Sequence, residues 1–174
     1  MLQVATGDVA VLTNHTQFSR LFEAYHGLVF RTAYRITGSV SDAEDVLQTI
    51  FLRLIRRDTA TKLEKEESYF RRAAVNASLD LLRARKSDSS LPLQDLPAST
   101  GERDRREIQE SLRRAFAQLS PRSAEIFALR YLEDYSNAQI AEMLGMSQVL
   151  VAVTLHRTRG RLQKEIRSYF GDKP

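Results

Sequence analysis

The sequence has no cysteine, and it lacks the long apolar runs that cross a membrane. Without cysteine the chain forms neither disulfides nor thiolate metal sites, which favours a cytosolic protein. No stretch approaches the roughly 18 consecutive apolar residues of a membrane span. Residues 1–17 also lack the basic flank and the apolar segment of a signal peptide. We therefore expect an intracellular protein with no membrane insertion.

The residue patterns that usually carry enzyme chemistry are also missing. There is no glycine-rich phosphate loop, and no serine lies in the sharp turn that exposes a nucleophile. Three carboxylates fall in the first turn of an expected helix, where they complement the helix dipole: Asp42, Glu44 and Asp45. The three histidines are scattered without metal-ligand spacing: His15, His26 and His156. We expect no catalytic residue, no metal and no cofactor.

Helical periodicity dominates what remains. Apolar side chains recur three and four positions apart, with only seven glycines and four prolines to interrupt them. In the first block, one helix ends at Gly38. A second opens at Ser41, with Glu44 completing a capping box. A third runs from about Glu66 to Lys86. The three predicted buried faces are Phe18, Leu21, Phe22, Tyr25, Leu28, Val29, Thr32, Ala33 and Ile36, then Ala43, Leu47, Ile50, Phe51 and Leu54, then Phe70, Ala73, Ala74, Ala77, Leu81 and Leu82.

A change of composition separates two blocks. Residues 87–104 are rich in Ser, Pro and Asp and carry no helical stripe, which predicts a mobile linker. Three linker leucines either dock on a domain or are exposed: Leu91, Leu93 and Leu96. We predict a first domain over 15–87, a flexible linker over 88–106 and a second domain over 107–170.

The second block ends in a predicted helix-turn-helix. A short helix over about 137–144 is followed by a tight turn at Gly145 and a final helix capped by Ser147. An apolar face and further caps precede it. These are Ile108, Leu112, Ala115, Phe116 and Leu119 for the face, Ser120 with Pro121 for one helix start, and Ser136 with Gln139 for the capping box of the short helix.

Positive charge is concentrated in two of the predicted helices. The formal net charge is only +4, so its distribution says more than its total. Cationic helices beside a helix-turn-helix are typical of a surface that binds a DNA backbone. The alternative for any single arginine is a solvated surface charge. The two clusters are Arg71, Arg72, Arg83, Arg85 and Lys86, and Arg157, Arg159, Arg161, Lys164 and Arg167.

Three segments resemble the extracytoplasmic-function (ECF) sigma factors of bacterial RNA polymerase, within the sigma-70 family. They are SDAEDVLQTIFLRLIRR at 41–57, SYFRRAAVNASLDLLRARK at 68–86 and LSPRSAEIFALRYLEDYSNAQIAEMLGMS at 119–147. The resemblance implies an all-α fold of two small domains, the sigma region 2 helical bundle and the sigma region 4 helix-turn-helix. It also implies a cytoplasmic bacterial protein that initiates transcription. The implied partners are core RNA polymerase, through its β′ clamp and β flap, promoter DNA and an anti-sigma protein.

The resemblance also implies roles for individual residues in the first domain. The polymerase-binding residues are Asp45, Gln48, Thr49 and Leu52, which share the face opposite a buried stripe; an ordinary solvated face is the alternative. The minus-ten DNA-binding residues are Arg72, Asn76, Arg83, Arg85 and Lys86. The Asn76 amide can donate to and accept from a base edge, or it can bond to backbone within its own domain. Asp80 is expected to organise nearby arginines, and Tyr69 and Phe70 to lie in the core.

The recognition helix departs from the family pattern. Family members usually carry a polar run of the type Thr-Val-Lys-Ser-Arg before LHRAR, where this chain has LVAVT before LHRTR. The expected buried stripe is Val151, Leu155, Leu162 and Ile166, which leaves Leu150, Ala152, Val153 and Thr154 as surplus. The implied minus-thirty-five DNA-binding residues are Ser147, Gln148, Leu150, Val153, Thr154, Arg157, Arg159 and Arg161.

Three explanations of this apolar face stay open at the level of sequence. Its side chains can contact thymine methyl groups in the major groove. Alternatively, duplex contact is weak and affinity comes from polymerase and the first domain. Finally, the face packs on a partner such as an anti-sigma protein, or on another part of this chain. Two other functions also stay open, a stand-alone helix-turn-helix regulator and a sigma-like decoy that reads no promoter.

Overall fold

A computed structural model describes residues 6–56, 65–87, 110–111 and 113–170, with side chains over 16–56, 65–85, 110–111 and 113–167. The predicted linker and its three leucines lie outside the described residues, as do Ile108 and Leu112. Helices make up most of the described chain, and it contains no strand, so the all-α prediction is confirmed. In chain order the helices are α1 (Thr6–Thr37), α2 (Val40–Arg56), α3 (Glu66–Ser87), α4 (113–118), α5 (Pro121–Tyr131), α6 (Asn137–Leu144) and α7 (Gln148–Phe170).

The first three helices pack around a shared aromatic centre. The Phe70 side chain of α3 is completely buried. Its ring stacks on Tyr25 of α1, with 4.7 Å between centroids, and on Phe51 of α2 at 5.4 Å. Such ring pairs add to the free energy gained by burying apolar area. Most of the predicted stripe residues lie in or against this core, but Phe22 is 38% exposed. Val46, absent from the prediction, is buried instead.

Helix α2 begins earlier than the sequence pattern predicts. The backbone N–H of Asp42 donates to the Ser39 hydroxyl at 3.3 Å, so Ser39 rather than Ser41 caps the helix. Gly38 precedes it with φ of +66°, a left-handed backbone that glycine adopts without strain. The predicted cap at Ser41 is therefore wrong, because Ser41 already lies inside the helix.

The caps predicted for the second domain are confirmed. The Ser120 hydroxyl accepts from the Ser123 backbone, Pro121 is the first residue of α5, and Ser136 forms a capping box with Gln139. Gly145 ends α6 in the left-handed conformation with φ of +62°. The short α6 is thus joined by a tight turn at Gly145 to the long α7, which is the arrangement of a helix-turn-helix.

Helix α3 also belongs to the core of the second domain. Val75 and Leu79 are buried in the same apolar cluster as Ile126 and Leu129 of α5 and Val151 of α7. The first core takes other residues of α3, so this helix is apolar on two sides. A helix with that pattern is stable only when both sides are covered. The two predicted domains are therefore packed against one another along α3.

We expect Phe70→Ala to destabilise the protein by about 3–5 kcal/mol, because it empties a fully packed aromatic site. Urea unfolding followed by far-UV circular dichroism measures the change. Tyr34→Ala, at a side chain that is 46% exposed, is the matched control and should cost about 1 kcal/mol or less. Equal losses in the two variants would contradict the packing described for α3.

A polar contact between α1 and α3 should make stability depend on pH. Arg20 donates two hydrogen bonds to the Glu66 carboxylate, and Tyr25 donates a third at 3.2 Å. The Arg20 hydrogen bond holds the pKa of Glu66 below its ordinary value of 4.5, despite partial burial that acts in the opposite direction. A lowered folded-state pKa stabilises the fold above the unfolded pKa, and that stabilisation is lost as pH falls through the folded value.

Glu66→Gln should therefore lower the free energy of unfolding at neutral pH, and its difference from the parent should shrink as pH falls below 4.5. Urea titrations across that range provide the measurement. Glu23→Gln, at an exposed position of α1, serves as the control. If the free energies of unfolding of Glu66→Gln and of the parent differed by the same amount at every pH, the Arg20 contact would not be what lowers the pKa of Glu66.

Candidate nucleic-acid interface

The outer face of α2 is exposed as predicted. Asp45, Gln48 and Leu52 are exposed, and Thr49 is partly covered. Leu52 is 51% exposed, and Ile55, one turn further on, is 58% exposed. Large apolar side chains that remain in water within a polar face are typical of a protein-binding surface. Sequence reasoning stopped at Leu52 and missed Ile55, although the three-residue spacing continues the same face.

A groove of about 430 Å³ lies between α2 and α3. Cationic and polar side chains line it together with the ring of Tyr69: Arg53, Arg56, Asn76 and Asp80, above a floor of Ile50, Ala73 and Ala77. An aromatic ring beside cations is the combination that binds a single-stranded base and its phosphate. Tyr69 packs against the first core as predicted, but it is only half-buried and its ring also lines this groove.

Asn76 and Arg72 are held by a carboxylate of the second domain. The Asn76 amide nitrogen donates to Glu125 Oε1 at 3.0 Å, and Arg72 Nε donates to the same oxygen at 2.9 Å. Arg122 donates to the other oxygen at 3.3 Å, and Arg72 also reaches the Met143 carbonyl at 3.2 Å. Glu125 is only 5% exposed. The alternative of a backbone bond within the first domain is therefore wrong for Asn76.

Of the remaining predicted minus-ten residues, two form ion pairs with carboxylates, and the side chain of the third lies outside the described residues. Arg85 donates two hydrogen bonds to the Asp42 carboxylate, one of them at 2.6 Å. Asp42 is 1% exposed, so it is a buried ion-pair partner rather than a surface group of the first helical turn. Arg83 donates to Asp80 at 3.0 Å, which confirms that Asp80 organises an arginine. The Lys86 side chain lies outside the described residues.

A second buried carboxylate, Glu133, accepts from two arginines of the first domain. Arg35 donates at 3.2 Å, and Arg71 donates to the other oxygen. Burial acts to lower the pKa of Arg71, but hydrogen bonds to Glu67 and Glu133 outweigh it, and the pKa is raised. For Tyr135, by contrast, burial raises the pKa of the hydroxyl. The Arg71 guanidinium carbon lies 5.3 Å from the centroid of the Tyr135 ring. The contacts to Glu133 and Tyr135 were not predicted, because their partners are far apart in sequence.

The first turns of α7 expose hydrocarbon. Val149 is 72% exposed, Leu150 51% and Val153 38%, and Ala152 is exposed as well. The predicted stripe is buried at Val151, Leu155 and Leu162 and partly covered at Ile166, and Thr158 joins it. Because Leu150 and Val153 are exposed, packing on another described part of the chain does not explain this face. Val149 was not singled out from the sequence.

The polar residues predicted for the minus-thirty-five element differ in their availability. Gln148, Arg157 and Arg161 are exposed. The Arg159 guanidinium instead donates to the Tyr131 hydroxyl at 2.9 Å and lies over that ring. Hydroxyls at two positions are engaged by the helix backbone. Ser147 accepts from the Leu150 N–H at 3.2 Å, and Thr154 donates to the Leu150 carbonyl at 2.7 Å.

The described part of the chain contains no group of three or more His, Asp or Glu residues placed to hold a metal ion. It also contains no single helix that is long and apolar enough to cross a membrane. The helix pair Asn137–Leu144 and Gln148–Arg167 meets those criteria only when taken together, and it is bent by 109°.

Comparisons with known families match both halves of the chain. The model for sigma-70 region 2 matches residues 21–87, and the model for sigma-70 region 4 matches 109–162. The RNA polymerase sigma-E factor of Streptomyces avermitilis is 30% identical, with 87% of this chain and 86% of the relative covered. Its namesake in Streptomyces coelicolor is 30% identical over 86% of each chain. The ECF RNA polymerase sigma factor SigW of Bacillus subtilis is 23% identical over 95% and 94%.

The chain belongs to the ECF sigma factors, within the sigma-70 family. It is accordingly a transcription initiation factor that binds RNA polymerase and directs promoter recognition. The hypothesis of a stand-alone helix-turn-helix regulator is not favoured, because the first domain matches region 2.

Proposed function

We propose a division of work among three surfaces of this sigma factor. The outer face of α2 binds the clamp of core polymerase, the groove between α2 and α3 takes an unpaired base of the minus-ten element, and α7 enters the major groove of the minus-thirty-five element. The second domain also contacts the β flap of polymerase. The protein itself carries no catalytic activity and acts in the bacterial cytoplasm, where an anti-sigma protein restrains it.

The observation that carries this proposal is the chemistry of the α2–α3 groove. Opening a promoter unstacks bases at a cost of a few kcal/mol each, and that cost must be offset by contacts to the released base. Tyr69 supplies an aromatic surface, Asn76 an amide for a base edge, and Arg53 and Arg56 supply positive charge for the phosphates. Leu52 and Ile55 lie on the same helix as these arginines, so polymerase binding and strand capture use adjacent faces.

The α2 surface can be tested with purified bacterial core polymerase. We expect Leu52→Asp to weaken retention on the core enzyme by about thirtyfold or more, since a central interface residue contributes about 2 kcal/mol. Affinity measurements with the full chain provide the number, and run-off transcription from a promoter library should fall in parallel.

Val40→Asp is the matched control for that variant. Val40 is 55% exposed and lies at the opposite end of α2, so a new carboxylate there should leave retention unchanged. Equal retention of both variants would exclude the α2 face as the polymerase surface. Binding to polymerase without transcription from any promoter would instead favour the sigma-like decoy.

A further inference from the structure

The exposed face of α7 has unusual chemistry for a helix that enters DNA. Its outward side chains over the first turns are mostly hydrocarbon, with Val149, Leu150 and Val153 exposed by 72%, 51% and 38%. The fold does not need them, since a separate buried stripe already fixes α7 against α5 and α6. These exposed side chains are therefore available to contact a ligand.

Two arginines on the same helix indicate the chemical class of that ligand. Arg157 and Arg161 follow the apolar residues one to three turns later, and both are exposed. No described residue forms an ion pair with either guanidinium. Apolar contacts beside unpaired cations complement a surface in which hydrocarbon is flanked by phosphates. In the major groove that hydrocarbon is the 5-methyl group of thymine.

Hydrogen-bonding readout is correspondingly poor at this end of the helix. The hydroxyls of Ser147 and Thr154 are engaged by the backbone at Leu150. Of the outward groups over 147–154, Gln148 alone carries a side-chain amide. Since each good bidentate base contact is worth about 1–3 kcal/mol of discrimination, little of that discrimination is available here.

We propose that this sigma factor recognises its minus-thirty-five element through thymine methyl groups, which contact Leu150 and Val153 while Arg157 and Arg161 hold phosphates. The inference rests on the proposed function and specifies the ligand chemistry of α7. It predicts that the minus-thirty-five element is rich in thymine on the strand that faces Leu150 and Val153.

Replacement of thymine by deoxyuridine tests this inference at single methyl groups, because the two bases differ in nothing else. Holoenzyme assembled from the full chain and core polymerase first selects promoters from a duplex library with a randomised minus-thirty-five element. The selected element is then synthesised with deoxyuridine in place of thymine. We expect an affinity loss of about fourfold for each contacted thymine, the value for one methyl-sized group removed from water.

Val153→Thr supplies the protein side of the test, since it exchanges one methyl for a hydroxyl of similar size. It should reduce the sensitivity to deoxyuridine, whereas Val40→Thr, an equally simple change at an exposed valine of α2, should leave it intact. Thymine-free selected elements, or equal affinity for the thymine and deoxyuridine promoters, would overturn the inference while the sigma function stands. Failure on every promoter would overturn both.

An independent observation concerns the contact between the two domains within the described residues. The side chains of α3 that should meet the minus-ten element are occupied by the second domain, with Glu125 accepting from Arg72 at 2.9 Å and from Asn76 at 3.0 Å. Glu133 accepts from Arg71 in the same way. Buried carboxylates thus take the positions on a cationic helix that an anionic nucleic acid would need.

We infer that this closed arrangement is an autoinhibited state of the free protein. Glu125 engages one Asn76 N–H and places a buried negative charge beside the amide, which opposes the approach of a phosphate backbone, so promoter capture requires the second domain to leave α3. Leaving exposes Val75 and Leu79 and the two glutamates together, which makes the change a transition between two states rather than a gradual loosening. This inference also rests on the proposed function, through the assignment of Asn76 to minus-ten DNA.

The absence of cysteine makes the closed state directly testable. Lys65 and Glu142 form an ion pair between the two domains, and their side chains are 63% and 69% exposed. A Lys65→Cys, Glu142→Cys double variant of the full chain can be joined by a short bismaleimide that contains a reducible disulfide. We expect efficient intramolecular crosslinking in the free protein, and a drop in run-off transcription of about tenfold or more once the domains are joined.

Reduction of the crosslinker should restore transcription. Arg114→Cys with Glu110→Cys, an ion pair within the second domain, controls for the chemistry of crosslinking. Full transcription by the joined protein, or no crosslink in the free protein, would overturn the closed state without touching the sigma function. Inactivity of both unjoined variants and of the parent chain would overturn the sigma function itself.

Discussion

Two buried carboxylates hold the second domain against α3, and the arrangement of the chain depends on them. Glu125 and Glu133 are 5% and 8% exposed. Removing an ionised carboxylate from water costs several kcal/mol, and only well-placed donors offset that cost. Most of the donors come from α1 and α3, as Arg35, Arg71 and Arg72, and Arg122 of α5 adds one to Glu125. The burial of the two glutamates is therefore offset mainly by arginines of the first domain, so we expect both carboxylates to return to water when the domains separate.

Helix α3 takes part in both hydrophobic cores and also lines the groove between α2 and α3. One side of it supplies Phe70 to the first core, and another supplies Val75 and Leu79 to the second. Its polar edge carries Asn76, which lines the groove and also bonds to the second domain. Because one helix serves both cores and the groove, a displacement of the second domain would change the surroundings of Asn76 directly.

Local features of the fold were predictable because their causes are local. The caps at Ser120, Ser136 and Gly145 follow from residues within one helical turn, and the structure confirms them. The cap of α2 was misplaced by two residues, since Ser39 and Ser41 are equally suitable by residue type and only the exit from Gly38 distinguishes them. The basic clusters were found correctly as clusters. The ion pairs that the first cluster forms with Asp42, Glu125 and Glu133 were not predicted, because they depend on residues brought together by folding.

By itself the sequence determined the helices, the helix-turn-helix, the family and the apolar departure in α7, since periodicity, caps and motif spacing are properties of neighbouring residues. Only the tertiary structure decided that the two domains share α3, that Asn76 is engaged by Glu125, and that Leu150 and Val153 are left uncovered. The physical reason is the same in each case. Burial and ion pairing depend on which surfaces meet across a linker, and residue spacing along one helix carries no information about the surface opposite.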